Sequence, residues 1–116
     1  MPGARAGKHT RAPMSSYELN RAIHHIYIDR DSTMRFRAGD TSVLEGYGLD
    51  DAERKALAEK DFPRLWALDV HPVLLFHLSA VLYPREWYLK EVVPAIQGVP
   101  NRWYDYYSTA QDAAQR

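Results

Sequence analysis

Five histidines and no cysteine set the chemistry open to this chain of 116 residues. Imidazole is the commonest metal ligand and the usual acid–base group near neutral pH, so the spacing of the histidines decides what they can do. His24 and His25 are neighbours in AIHHIYID, and His71 and His77 bracket the apolar stretch of HPVLLFH. Successive helical residues point about 100° apart. His24 and His25 therefore face different sides and cannot hold one ion together. His71 and His77 are six apart, whereas a helical ligand pair sits four apart. Without thiols there is no thiolate zinc site and no disulfide, as in a reducing compartment. The histidines are expected to be hydrogen-bonded core or interface groups, with no metal held by this chain. The sequence also lacks a phosphate-cradling glycine loop, a nucleophile elbow and a helical His-Glu-His motif. Its Asp and Glu residues fall mostly at caps or on solvated helix faces.

The elements that carry these residues read as helices. Ser15 and Glu18 have capping-box spacing. Leu19, Ala22, Ile23, Ile26 and Tyr27 follow as one apolar stripe with the helical period. Asp31 is the expected cap of DSTMRFRAG, and Gly39 its stop. DTSVLEGYG reads as one or two turns ended by Gly46 or Gly48. Asp50 and Glu53 form a second capping-box pair ahead of strong helix formers. Asp61 caps FPRLWALDV, with Pro63 tolerated in the first turn. Pro72 takes a favoured first helical position, which places His71 at a helix boundary. The helix it opens is apolar nearly all round and is expected to be buried.

The texture changes at Tyr83. Residues 83–108 hold prolines at 84, 94 and 100 and seven Trp or Tyr residues. A short helix around Arg85 to Val93 is expected, then an extended aromatic tail over 94–116. Trp and Tyr bury much area and keep a polar handle, so such a segment wraps its own helices, packs on a partner, or does both. Residues 1–14 are small, polar and basic, with Arg5, Lys8 and Arg11 and no acid. They read as a disordered arm. Lys+Arg and Asp+Glu balance at 15 each, so no overall field points to nucleic acid or anionic membrane. No apolar run approaches the roughly 18 residues of a membrane span. The basic N-terminus has no apolar stretch behind it, unlike a secretory signal. The expected fold is all-α, one small multi-helix domain over 15–93 with an arm before it and the tail after it. The expected location is cytoplasmic.

The order of several short motifs resembles the small α subunit of protocatechuate 4,5-dioxygenase and its relatives. The opening carries Tyr17, Leu19 and Asn20; Arg35-Phe36 comes next, then Tyr47-Gly-Leu49 and the acidic start of a helix. Lys60, Asp61 and Phe62 follow, and then HPVLLFHL. The likeness covers roughly residues 16–82 and lapses after Leu82. It implies an all-helical, non-catalytic small subunit that covers the active site of a larger subunit in a class III extradiol, or meta-cleavage, dioxygenase of aromatic compound catabolism. The large subunit of such enzymes binds Fe(II) through two histidines and a carboxylate, leaving positions for a catechol and oxygen. On this resemblance the residues expected to line or lid a substrate pocket at the subunit interface are His71, His77, Tyr83, Arg85 and Trp87. Arg85 is suited to pair with a substrate carboxylate. Trp87, Tyr88, Trp103 and Tyr104 are the expected anchors on the partner. The alternative is a stand-alone helical interaction module with no dioxygenase partner, whose basic arm binds something acidic.

Overall fold

A computed structural model describes residues 16–114, with side chains through Ser108. Among these residues there is helix and no strand, so the all-α expectation holds. The helices are α1 (Tyr17–Ile28), α2 (Arg30–Arg37), α3 (Asp51–Ala58), α4 (Phe62–Ala67), α5 (Pro72–Leu82), α6 (Arg85–Trp87) and α7 (Arg102–Ala114). Single 3₁₀ turns lie at Thr41–Leu44 and Pro94–Ile96, and a π turn at Tyr88–Val92 continues α6. The expected arm at 1–14 lies outside the described residues, as does Ser15.

The stripe read from the sequence becomes the buried face of α1: Leu19, Ala22, Ile23 and Ile26 are all within 1% of fully buried. This face packs along α5 and against α2. Phe36, Leu44, Leu57, Phe62, Leu65, Leu75 and Leu78 close the core from the other elements. Each such side chain contributes roughly 1.5–3 kcal/mol by leaving water. The Asp50–Glu53 capping box forms in full: the Glu53 amide donates to Asp50 Oδ1 at 2.7 Å, and the Asp50 amide to Glu53 Oε1 at 2.9 Å. Asp61 Oδ1 accepts from the Arg64 amide, as its position predicts. Gly39, at φ +88°, ends α2 in the left-handed region that glycine enters without strain.

Four expectations are corrected. The cap of α2 is Asp29, not Asp31. α1 runs to Ile28, so one extended residue serves as both its end and the start of α2. Asp29 Oδ2 accepts from the Ser32 amide at 2.9 Å and its hydroxyl at 2.7 Å, and these bonds hold its carboxyl below the ordinary range. Asp31 instead pairs with Arg35 at 3.2 Å. At the start of α1 the cap position is Ser16, not Ser15, and its side chain makes no cap bond; Glu18 accepts from Arg21 and from the Gly48 amide, and both lower its pKa. α5 is not buried all round. Leu75 and Leu78 face the core while Val73 and Phe76, on other sides of the helix, stand 53% and 45% exposed.

The fourth correction concerns the C-terminal segment. Residues 102–114 are helical, not extended. All three prolines of the segment precede Asn101, so none interrupts the run after it. Asn101 supplies the cap: its Oδ1 accepts from the Tyr104 amide at 2.9 Å. Residues 94–101 are not a separate tail either, since the Trp66 indole donates to the Val99 carbonyl at 2.8 Å.

Candidate functional site

The most closely built polar site lies where α1, the α4–α5 turn and α7 meet. α4 ends in a reversal: the Asp69 amide donates to the Trp66 carbonyl and the Val70 amide to the Leu65 carbonyl, both at 3.1 Å. This places Asp69 at φ +69°, a left-handed conformation that Asp tolerates better than most residues. Asp69 is 2% exposed, and its polar atoms are taken up from two sides. Its carbonyl accepts from Asn20 Nδ2 and from the Trp103 indole, each at 3.1 Å. Its Oδ1 accepts from the Arg102 amide at 2.8 Å, with the Arg102 guanidinium 3.5 Å from Oδ2. Buried polar groups are stable only when satisfied in this way.

The same turn presents His71. Its backbone amide donates to Asn20 Oδ1 at 2.7 Å. Its ring Nδ1 accepts from the Val73 amide at 3.1 Å, making the side chain the cap of α5. A backbone amide can only donate, so Nδ1 is bare and the neutral ring carries its proton on Nε2. Partial burial lowers the pKa of His71 from the ordinary histidine value and favours this neutral form. The ring lies 5.3 Å from Trp103 and 5.9 Å from Tyr107, centroid to centroid. Asn20, His71, Val73, Leu74 and Trp103 border an open groove of about 350 Å³. It joins an apolar wall to one imidazole of defined tautomer, a combination suited to an aromatic ligand with an acceptor oxygen.

The other pocket residues named from sequence lie elsewhere. His77 is exposed, not a core histidine; its ring stacks on Tyr27 at 5.0 Å, with Phe76 edge-on at 6.1 Å. Tyr83 and Trp87 stack on each other at 4.1 Å, and both meet Phe62 edge-on. Arg85 is on the surface beside them. His71, His77 and the Tyr83–Trp87 pair thus occupy three places. Of the expected partner anchors, Trp87, Tyr88 and Trp103 are half-buried on this chain's own helices. Tyr88 sits edge-on to Phe76 at 5.2 Å, and burial raises its pKa. Tyr104 is 53% exposed and borders a second cleft, of about 340 Å³, with Trp66, Val93 and Ile96. The tail therefore wraps its own helices, while Tyr104, Tyr106 and Tyr107 keep more than half their surface open.

His24 and His25 diverge as the helix requires. His24 meets Tyr27 edge-on, and His25 Nδ1 lies 2.5 Å from the Tyr47 hydroxyl. Among the described residues no three His, Asp or Glu side chains converge as metal ligands, and no helix is long and apolar enough to cross a membrane.

Sequence reasoning missed Asn20, Asp69 and Asn101 as organising residues. Asn101 had a readable signal, an Asn just ahead of a proline-free stretch. Asn20 and Asp69 had none, because their partners lie 49 to 51 residues away or depend on the left-handed turn. The chain matches no known protein family, no curated protein and no solved structure in the comparisons made.

Proposed function

We propose that this chain is the non-catalytic small subunit of an extradiol, ring-opening dioxygenase. It covers the active site of a larger Fe(II)-binding subunit acting in cytoplasmic catabolism of aromatic compounds. The observation that carries the reading is the ordered set of motifs from Tyr17 to HPVLLFHL. Their residues are also coupled in space. Asn20 of the first motif holds His71 of the last, and Lys60 of the fourth lies over Phe36 of the second. On this reading the His71 groove and the open rings of α7 face the large subunit, and a catechol lies at the junction. His71 Nε2 donates to an oxygen on the ring. A pocket at the other end of α5, where the divergent segment begins at Tyr83, would use Arg85 for a substrate carboxylate in place of His71. The iron belongs to the partner.

Copurification with a candidate large subunit, followed by oxygen uptake on a panel of catechols, tests the reading. The expected result is a stable complex whose ring-opening activity exceeds that of either chain. Stoichiometric Fe(II) on the isolated small chain, lost in the double variant His71→Ala and His77→Ala, would reverse the assignment. The uncovered side of α5, with Val73 and Phe76 exposed, together with Leu89 at 62%, favours a second reading, a stand-alone helical interaction module. A gene for a large subunit beside this one separates the two.

A further inference from the structure

Lys60 occupies a backbone conformation that suits glycine. It follows α3, its amide donates to the Leu57 carbonyl at 3.0 Å, and the Asp61 amide closes the turn on the Ala56 carbonyl at 2.9 Å. This is the helix-ending geometry in which glycine is the usual residue. Lys60 adopts it at φ +53°. Non-glycine residues held in such regions persist where the surroundings over-determine them, and they cluster at functional positions. Here the result is a placed cation: Lys60 Nζ lies 4.8 Å from the centroid of the Phe36 ring, whose side chain is 2% exposed.

That ammonium borders a small cavity of about 320 Å³ lined by Arg37, Lys60, Leu82 and Tyr83. Two of its four residues are cations, one is a phenol able to donate, and none is a carboxylate. Among the described residues neither Arg37 nor Lys60 forms an ion pair with a carboxylate. Of the two acids that flank Lys60 in sequence, Asp61 is engaged in capping α4 and Glu59 forms no ion pair with it among the described residues. Two like charges opening on one cavity repel unless an anion lies between them.

We propose that Arg37, Lys60 and Tyr83 form a binding site for an oxyanion, a carboxylate or a phosphate group. Arg37 supplies a planar fork and Lys60 a point charge, the two ways proteins hold such groups. Arg37 also borders the neighbouring groove of Tyr27, Ile28, Met34 and Val81, where Ile28 and Met34 are 63% and 54% exposed. An anion carrying an apolar body has its head at Lys60 and its body along Met34. Of its three residues only Tyr83 is also among those expected to line the dioxygenase pocket, and anion binding by the isolated chain does not depend on that reading.

Nuclear magnetic resonance titration of the full chain with inorganic phosphate, and separately with hexanoate, tests the site against sodium chloride at matched ionic strength. Saturable shifts at Arg37, Lys60 and Tyr83 are expected for at least one anion. Shifts that extend to Met34 with hexanoate identify an apolar acid, and equal response to phosphate identifies a free oxyanion. Lys60→Gly suits the backbone while removing the charge, so it should keep the unfolding midpoint and weaken binding about tenfold, the effect of one charge-assisted contact. Arg37→Gln should do the same. Shifts no different from those with sodium chloride, or undiminished in the Lys60→Gly and Arg37→Gln double variant, overturn the proposal.

Discussion

The side chain of Asn20 holds the backbone of His71. Its Oδ1 accepts from the His71 amide at 2.7 Å, while its Nδ2 donates to the carbonyls of Ser16 and Asp69 at 2.8 and 3.1 Å. One carboxamide thus joins α1 to the turn that presents the imidazole. Asn20→Leu has similar volume and offers no hydrogen bond. It is expected to lower stability by roughly 1–3 kcal/mol, the cost of leaving partly buried groups unpaired. Asn20→Asp keeps the acceptor for His71 but sets an oxygen against the Ser16 and Asp69 carbonyls, so it should not recover the parent's stability. Urea unfolding of the two variants measures both losses, and equal stability to the parent in Asn20→Leu contradicts the coupling.

Asn101 performs the matching task for α7. It is fully buried, its Nδ2 donates to the Trp66 and Val70 carbonyls at 2.9 Å each, and its Oδ1 caps the helix. Asn101→Ala should cost about 2 kcal/mol or more, since a cap and two buried acceptors lose their partner together. The loss should be local first. Limited proteolysis is expected to cut around residues 97–101 in the variant well before the parent, and an unchanged cleavage pattern would show that α7 is held by its rings alone.

These two residues show where sequence stops being sufficient. The stripe of α1, the Asp50–Glu53 box and the Pro72 start are local patterns of three to eight residues, and the fold honours them. Asp29 and Asp31 are both competent caps two residues apart, and only the length of α1 decides between them. His71 was legible as a helix boundary because Pro72 follows it. That its Nδ1 is occupied by Val73 and its amide by Asn20 depends on a turn with Asp69 in the left-handed region, which composition does not announce. The helix at 102–114 was obscured by the prolines and rings before it, although its own stretch contains neither proline nor glycine.

His71 makes stability depend on pH in a defined direction. Burial lowers its folded pKa from 6.5, so the unfolded chain takes up a proton more readily than the folded one. Its contribution is fully present above pH 6.5 and is lost as pH falls through the folded value. Protonation also places a hydrogen on Nδ1, opposite the Val73 amide. Unfolding free energy measured across that range should fall with acid, and His71→Gln should flatten the fall. An unchanged slope in the variant would assign the dependence to other groups.

Tyr106 and Tyr107 are 66% and 52% exposed, and their rings lie 5.4 Å apart on the outer part of α7. Rings at the centre of an interface commonly cost 2 kcal/mol or more when truncated, roughly a thirtyfold loss of affinity. Changing both to Ser should leave the fold intact and weaken capture of the catalytic subunit by about that factor. Deleting everything from Tyr83 would be a poorer test. Val92 is 1% exposed in the core, and Tyr83 and Trp87 pack on Phe62, so that deletion should destabilise the remaining helices as well. Undiminished capture by the double Ser variant, by surface plasmon resonance, would leave α7 as a cover for this chain's own core.

Arg85 offers the sharpest test of substrate contact. It is exposed at the start of α6, next to the stacked pair Tyr83 and Trp87 but outside the core. Arg85→Ala should therefore leave helicity and complex formation unchanged. If its guanidinium meets a substrate carboxylate, the interaction is a charge-assisted one worth about 1.5–3 kcal/mol, or roughly tenfold and more in kcal-to-affinity terms. The expected signature in the complex is a raised KM for carboxylated catechols, with kcat little altered and plain catechol nearly unaffected. Arg85→Lys keeps the charge and loses the planar fork, so it should fall between the parent and Arg85→Ala. Equal loss on carboxylated and plain catechols would place the effect in the subunit interface and refute the carboxylate role. No change on either would assign Arg85 to the solvated surface, with the carboxylate held by the large subunit alone.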